Sequence, residues 1–95
     1  MPPRRLVWTE GAVEQLEEYL ERRIDKVGVV DCIAQQLLTV AQDAESITQA
    51  WDGPFDSLRR HHFVCKDGTV SLHIHAELVL TDDSVIVYGC GTTPL

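Results

Sequence analysis

From residue 70 to residue 80 the chain alternates with a period of two. Val70, Leu72, Ile74, Ala76, Leu78 and Leu80 fall on one side, Ser71, His73, His75, Glu77 and Val79 on the other. Only an extended strand sends alternate side chains to opposite faces, so the pattern requires a sheet with one buried face and one in water. Turn signals bracket the run. Asp67-Gly68 is a pair favoured in two-residue hairpin loops, and Thr81-Asp82-Asp83-Ser84 is a second, weaker turn. A three-stranded antiparallel meander is therefore expected after Pro54.

The first half has a different period. Leu6-Val7-Trp8 suits one short strand, and Thr9 suits a helix N-cap, with Glu10 in the first turn where the helix dipole favours a carboxylate. Val13, Leu16, Leu20, Ile24 and Val27 then recur three and four apart, one apolar face of a helix that Gly28 would end. Val30, Ile33, Leu37, Val40 or Ala41, Ala44, Ile47 and Trp51 continue that spacing in a second helix. It is either unbroken or interrupted near Gln42-Asp43, and Asp52-Gly53-Pro54 terminates it. The fold class is α+β: a short N-terminal strand, a two-helix hairpin and a three-stranded antiparallel meander, with the helices on one face of the sheet. At 95 residues this makes one domain, residues 1–95, around one core.

Charge narrows the partners. Eight Lys and Arg against fifteen Asp and Glu give a formal net charge of -7, which opposes nonspecific binding to nucleic acid or an anionic membrane. Most of the acidity precedes Leu58. The remainder holds Asp67, Glu77, Asp82 and Asp83 against Arg59, Arg60 and Lys66, plus all four histidines, so it is close to neutral and turns positive as imidazoles protonate. No run approaches the ~20 apolar residues of a membrane span, and Thr9-Glu10-Gly11 interrupts any secretory signal after Arg4-Arg5, so the chain reads as cytoplasmic. Cys32, Cys65 and Cys90 are odd in number and widely spaced, and are expected as three reduced thiols.

Loop length decides which residues face each other across a hairpin. With Asp67-Gly68 as the loop, Lys66 faces Thr69, Val64 faces Ser71, His62 faces His73 and Arg60 faces His75. With Asp82-Asp83 as the second loop, Glu77 faces Tyr88, His75 faces Cys90 and His73 faces Thr92; a three-residue loop would exchange the faces of the last strand. The open face then gathers Arg60, His62, His73, His75, Glu77, Tyr88 and Cys90, while Phe63, Leu72, Ile74, Ala76, Leu78, Val85 and Val87 turn to the helices. Three readings stay open. Glu77 or His75 as general base, His73 or His62 as general acid and Arg60 as charge stabiliser would suit metal-independent RNA cleavage, with no cofactor. His73-Ile74-His75 with His62 would offer a metal three imidazoles, Glu77 or a water completing the shell. Or the face is polar only because it is solvated.

The opening Leu6-Val7-Trp8-Thr9-Glu10-Gly11-Ala12-Val13-Glu14-Gln15-Leu16 and the ending, from Leu58-Arg59-Arg60-His61-His62 through Leu72-His73-Ile74 to Ser84-Val85-Ile86-Val87-Tyr88-Gly89, resemble the RelE/ParE toxin superfamily of bacterial type II toxin–antitoxin systems. The resemblance lies in length, order of elements and placement of turns. It implies a helical hairpin against a mainly antiparallel sheet, neutralised by an antitoxin segment, with ribosome-dependent mRNA cleavage or gyrase inhibition as the activity. His62, His73, His75, Glu77 and Tyr88 match the residue types and sheet surface of its ribonucleases. The expectation is a small cytoplasmic toxin-like protein with an antitoxin-like partner and RNA, the ribosome or gyrase as target. The alternative, favoured by the acidic net charge, is a non-enzymatic binding or dimerisation module on a repurposed toxin fold, with Val64 and Val79 in a homodimer or partner interface. A metal-binding protein using the His-x-His strand is a third.

Overall fold

In the computed structural model, which describes residues 4–50 and 58–92, the chain runs β1 (Arg5–Trp8), α1 (Glu10–Leu20), α2 (Lys26–Gln42), α3 (Ala44–Ile47), β2 (Gln49–Ala50), β3 (Leu58–Asp67), β4 (Val70–Leu80) and β5 (Ser84–Thr92). The strands form one sheet in the order β1-β5-β4-β3-β2. β3, β4 and β5 are the expected antiparallel meander, and β1 lies parallel to β5 at its outer side. The helices cover one face, where Phe63, Leu72, Ile74, Ala76, Leu78, Val85 and Val87 are buried with Val29, Ile33, Leu37 and Val40 of α2.

Thr9 does two jobs at the first junction. Its hydroxyl oxygen accepts from the Ala12 N–H at 3.1 Å, capping α1, and its O–H donates to the Val87 carbonyl at 3.1 Å, which pins the helix start to β5. α1 then buries Ala12 and half-buries Leu16, Tyr19 and Leu20. It stops sooner than the spacing predicted. Ile24 and Val27 are 88% and 81% exposed, because the backbone leaves the helix to meet the carboxylate of Asp67, which accepts from the Ile24 N–H at 3.1 Å and the Asp25 N–H at 2.7 Å. Asp25 in turn caps α2 by accepting from the Gly28 N–H at 3.1 Å. Gly28 therefore sits inside the first turn of α2 rather than ending α1, and a Cβ there would run into the Asp25 carboxylate.

The second helix breaks at Asp43 and does not reach Trp51. Thr48 is extended (φ -89°, ψ 156°), and Gln49–Ala50 leave as a strand paired with Arg60 and Arg59. Arg59 holds this exit: its guanidinium donates to the Thr48 hydroxyl (2.9 Å), the Glu45 carbonyl (2.9 Å) and the Thr48 carbonyl (3.1 Å), supplying donors that the end of α3 lacks. Trp51 and the expected stop at Asp52-Gly53-Pro54 lie outside the described residues.

The expectation of three reduced thiols is corrected for two of them. Cys32 on α2 and Cys65 on β3 are disulfide-bonded, with Cα atoms 6.0 Å apart. Packing of α2 against β3 brings them together, and a sequence separation of 33 gives no sign of it. Cys90 is free and buried, and burial pushes its thiol up to about 11. Closing a loop of 33 residues removes denatured-state entropy worth roughly 3 to 4 kcal/mol. Urea unfolding of the oxidised protein and of a Cys32→Ala/Cys65→Ala variant is expected to differ by about that much, the variant being the weaker.

Candidate functional site

The register of the first hairpin differs from the expectation. Gly68, at φ 63°, is the sole described residue with a positive φ, so the loop is Gly68-Thr69, with glycine at the first central position as a type II′ turn requires. Asp67 pairs with Val70 instead of entering the loop. His62 consequently faces His75, Val64 faces His73, Arg60 faces Glu77 and Lys66 faces Ser71. The shift is two residues, and an even shift preserves faces. Arg60, His62, His73, His75 and Glu77 thus share the open face with altered neighbours.

The second hairpin begins as expected, Leu80 facing Val85, Val79 facing Ile86 and Leu78 facing Val87, and then slips by one between Glu77 and Leu78. Tyr88 is the extra residue of this bulge, 54% exposed on the open side. Beyond it Glu77 faces Gly89, His75 faces Gly91 and Ile74 faces Thr92, replacing the pairs drawn with Tyr88, Cys90 and His73. Cys90 moves to the helix side opposite Ala76 and is 1% exposed. Its N–H donates at 3.0 Å to the side-chain carbonyl of Gln15, so α1 satisfies an edge group of β5 where β1 no longer runs alongside. Cys90 is therefore no part of the open face.

Three imidazoles meet at its centre. His62 Nε2 and His73 Nδ1 are 3.1 Å apart, while the ring centres are 5.3 Å apart with planes at 5°. Nitrogens that approach so much closer than the centres place the rings edge to edge in nearly one plane, the geometry of an N–H···N hydrogen bond with one ring donating and the other accepting. His75 lies across from His62, ring centres 4.7 Å apart and tilted by 31°. Partial burial, then the neighbouring His62, Arg60 and His73, hold its pKa below the ordinary 6.5. At neutral pH it is an uncharged ring with a nitrogen able to take a proton. The paired nitrogens of His62 and His73 point at each other rather than at a common third point. Among the described residues no group of three or more His, Cys, Asp or Glu is arranged to hold a metal ion.

Two features of this region escaped sequence reasoning. His61 turns to the helix side, stacks on Phe63 with ring centres 5.4 Å apart, and leaves Nε2 buried with no hydrogen-bond partner among the described residues. With Ile47, Arg60, His62 and His75 it lines a cleft of about 450 Å³ around the edge of β3. Its parity with Phe63 and Cys65 was the available signal. Second, Leu58, Val79, Ile86 and Val7 stand in register across β3, β4, β5 and β1, forming an apolar row on the open face beside Tyr88. Sequence singled out Val79, and also Val64, which is 44% exposed; the rest of the row depends on β1 lying parallel to β5.

Charge is sorted between the two sides. Glu10, Glu14, Glu17, Glu18 and Glu21 are exposed along α1 and its end, while Arg5, Arg60, Lys66, His62, His73 and His75 share the open face with Glu77. No protein-family model matches this chain, and no curated protein or solved structure matches it.

His61 and His75 both have folded pKa values below 6.5, each lowered first by burial. The unfolded chain then binds more protons than the folded one below that pH, so their contribution to stability is full above 6.5 and is lost as the pH falls through the folded values. Urea midpoints are expected to decline as the pH is lowered from 6.5, less steeply in a His61→Phe/His75→Gln variant, and an NMR titration of His75 should have its midpoint below 6.5.

Proposed function

We propose that this chain is a toxin-like protein of the RelE/ParE type, whose open sheet face binds RNA and cleaves it without a metal ion. The observation that carries this reading is the contact of His62, His73 and His75 beside the facing pair Arg60 and Glu77. His75, neutral at physiological pH, takes the proton of a ribose 2′-hydroxyl as that oxygen attacks the adjacent phosphorus. The His62/His73 pair, once protonated, returns a proton to the departing 5′-oxygen, leaving a cyclic phosphate and a free hydroxyl end. Arg60 offsets the negative charge that builds on the phosphorus oxygens. The net charge of -7 is compatible with a polyanion because the acidic row of α1 lies away from this face, which orients approach. An antitoxin-like protein is the partner this reading implies, and cytoplasm the compartment.

Expression is expected to arrest growth, and His73→Ala or His75→Ala to relieve the arrest. The purified protein should cleave RNA, alone or on ribosomes, and each substitution should lower the rate by about 10²- to 10⁴-fold with little change in melting temperature. A protein that is neither toxic nor active on RNA in either format rules the reading out.

The apolar row favours a second reading, a non-enzymatic binding or dimerisation module. Under it, Val79→Asp or Ile86→Asp abolishes self-association measured by sedimentation, while the histidine substitutions are silent in every assay.

A further inference from the structure

We propose that the Cys32–Cys65 bridge is a thiol-exchange site, opened by a dithiol reductant that attacks at Cys32, and that its opening loosens β3, the strand carrying His62, from α2. The inference does not rest on the RNA-cleaving reading. It begins from an asymmetry between the two sulfurs. Cys65 is 2% exposed, in the core among Phe63, Leu72 and Ile33. Cys32 is only half-buried, its Sγ lies 3.9 Å from the Val64 carbonyl oxygen near the sheet edge, and its neighbours Val30 and Asp31 on α2 are exposed. Of the two cysteines, Cys32 is therefore the one with surface open to a solvent thiolate.

Attack at Cys32 Sγ forms a mixed disulfide and expels Cys65 as the thiolate. The second thiol of the reductant then attacks its own sulfur in that mixed disulfide, closing the oxidised reductant and releasing Cys32 as the thiolate. Both cysteines take up a proton, and two electrons have passed from the dithiol to the protein. Cys90 cannot stand in for the external reductant, since it is 1% exposed on β5 and burial keeps its thiol protonated.

Where the bridge sits gives the reaction its consequence. Cys65 is one residue from Val64, the partner of His73, and three from His62. β2 pairs with β3 only at Arg59 and Arg60, so among the described residues 61–67 have β4 on one side and the tether to α2 on the other. With the bridge open, apolar packing joins α2 to residues 61–66, and the Asp67 bonds to the Ile24 and Asp25 N–H groups hold the hairpin end.

The test uses the folded, full-length chain without denaturant. Treated with dithiothreitol and then a maleimide, it is expected to be labelled at Cys32 and Cys65 with Cys90 protected. With the monothiol glutathione, the trapped adduct should map to Cys32 at least ten-fold over Cys65 by mass spectrometry. Amide hydrogen exchange at residues 61–67 should accelerate at least ten-fold on reduction while that of residues 84–87 does not, and reoxidation should reverse it. A Cys32→Ala/Cys65→Val variant, which keeps the volume near Cys65 apolar, should reproduce the fast exchange of 61–67 while remaining folded. The proposal is overturned if the bridge resists excess dithiothreitol until urea is added, if the adduct maps to Cys65, if reduction leaves exchange at 61–67 unchanged, or if both the reduced protein and the variant unfold globally, which would make the bridge a staple of the whole fold.

Discussion

The carboxylate of Asp67 joins the helical half of the chain to the sheet. It accepts from two consecutive backbone N–H groups, those of Ile24 and Asp25, more than 40 residues away, and these bonds, helped by the charge of Arg23, hold its pKa below the ordinary carboxylate value. Much follows from this one group. α1 cannot continue through residues whose N–H groups are committed to Asp67, and Asp25 is left placed to cap α2. On the sheet side, Asp67 pairs with Val70, the turn falls to Gly68-Thr69, where glycine supplies the positive φ, and β3 sits two residues along β4 from the expected register. The imidazoles that touch are a consequence of that register.

The sheet divides its labour by face and then by length. One face is sealed by α1 and α2 around an apolar core. The other is polar at the end toward the first hairpin, where the histidines cluster, and apolar at the end toward the second, where Leu58, Val79, Ile86 and Val7 align. A surface that pairs titratable groups with an adjoining apolar strip can position a macromolecule by one part and act on it by the other, and both proposed readings draw on that adjacency.

Much of this architecture is legible in the sequence. The alternation through β4 correctly assigned Leu72, Ile74, Ala76 and Leu78 to the buried face and Ser71, His73, His75 and Glu77 to the open one, while Val70 at the strand's start is 55% exposed. The helices were legible as apolar repeats but their ends were not: Ile24 and Val27 continue the repeat in sequence, and only a tertiary bond to Asp67 removes them from it. Asp67-Gly68 correctly announced a hairpin, yet the pair alone does not say whether aspartate or threonine joins glycine in the loop. The bulge at Tyr88 was invisible because Val85, Ile86, Val87 and Tyr88 offer apolar bulk to either face. It is stabilised by Gln15 reaching from α1, a partner 75 residues distant from Cys90. The disulfide was hidden for the same reason, as proximity across a layer leaves no mark on spacing.

The position of β1 bears on the order in which the molecule assembles. Among the described residues it precedes every other strand yet pairs only with β5, and the bond from Thr9 to Val87 spans 78 residues. A ribosome therefore releases β1 and α1 long before the strand that receives them exists, and Leu6, Val7 and Trp8 spend synthesis without their sheet neighbours. The local hairpin of β3 and β4 can form first, with α2 laid upon it, while the outer side of the sheet waits for β5. Closure of the fold is thus a late, long-range event, in which the first of the described strands is locked by the last.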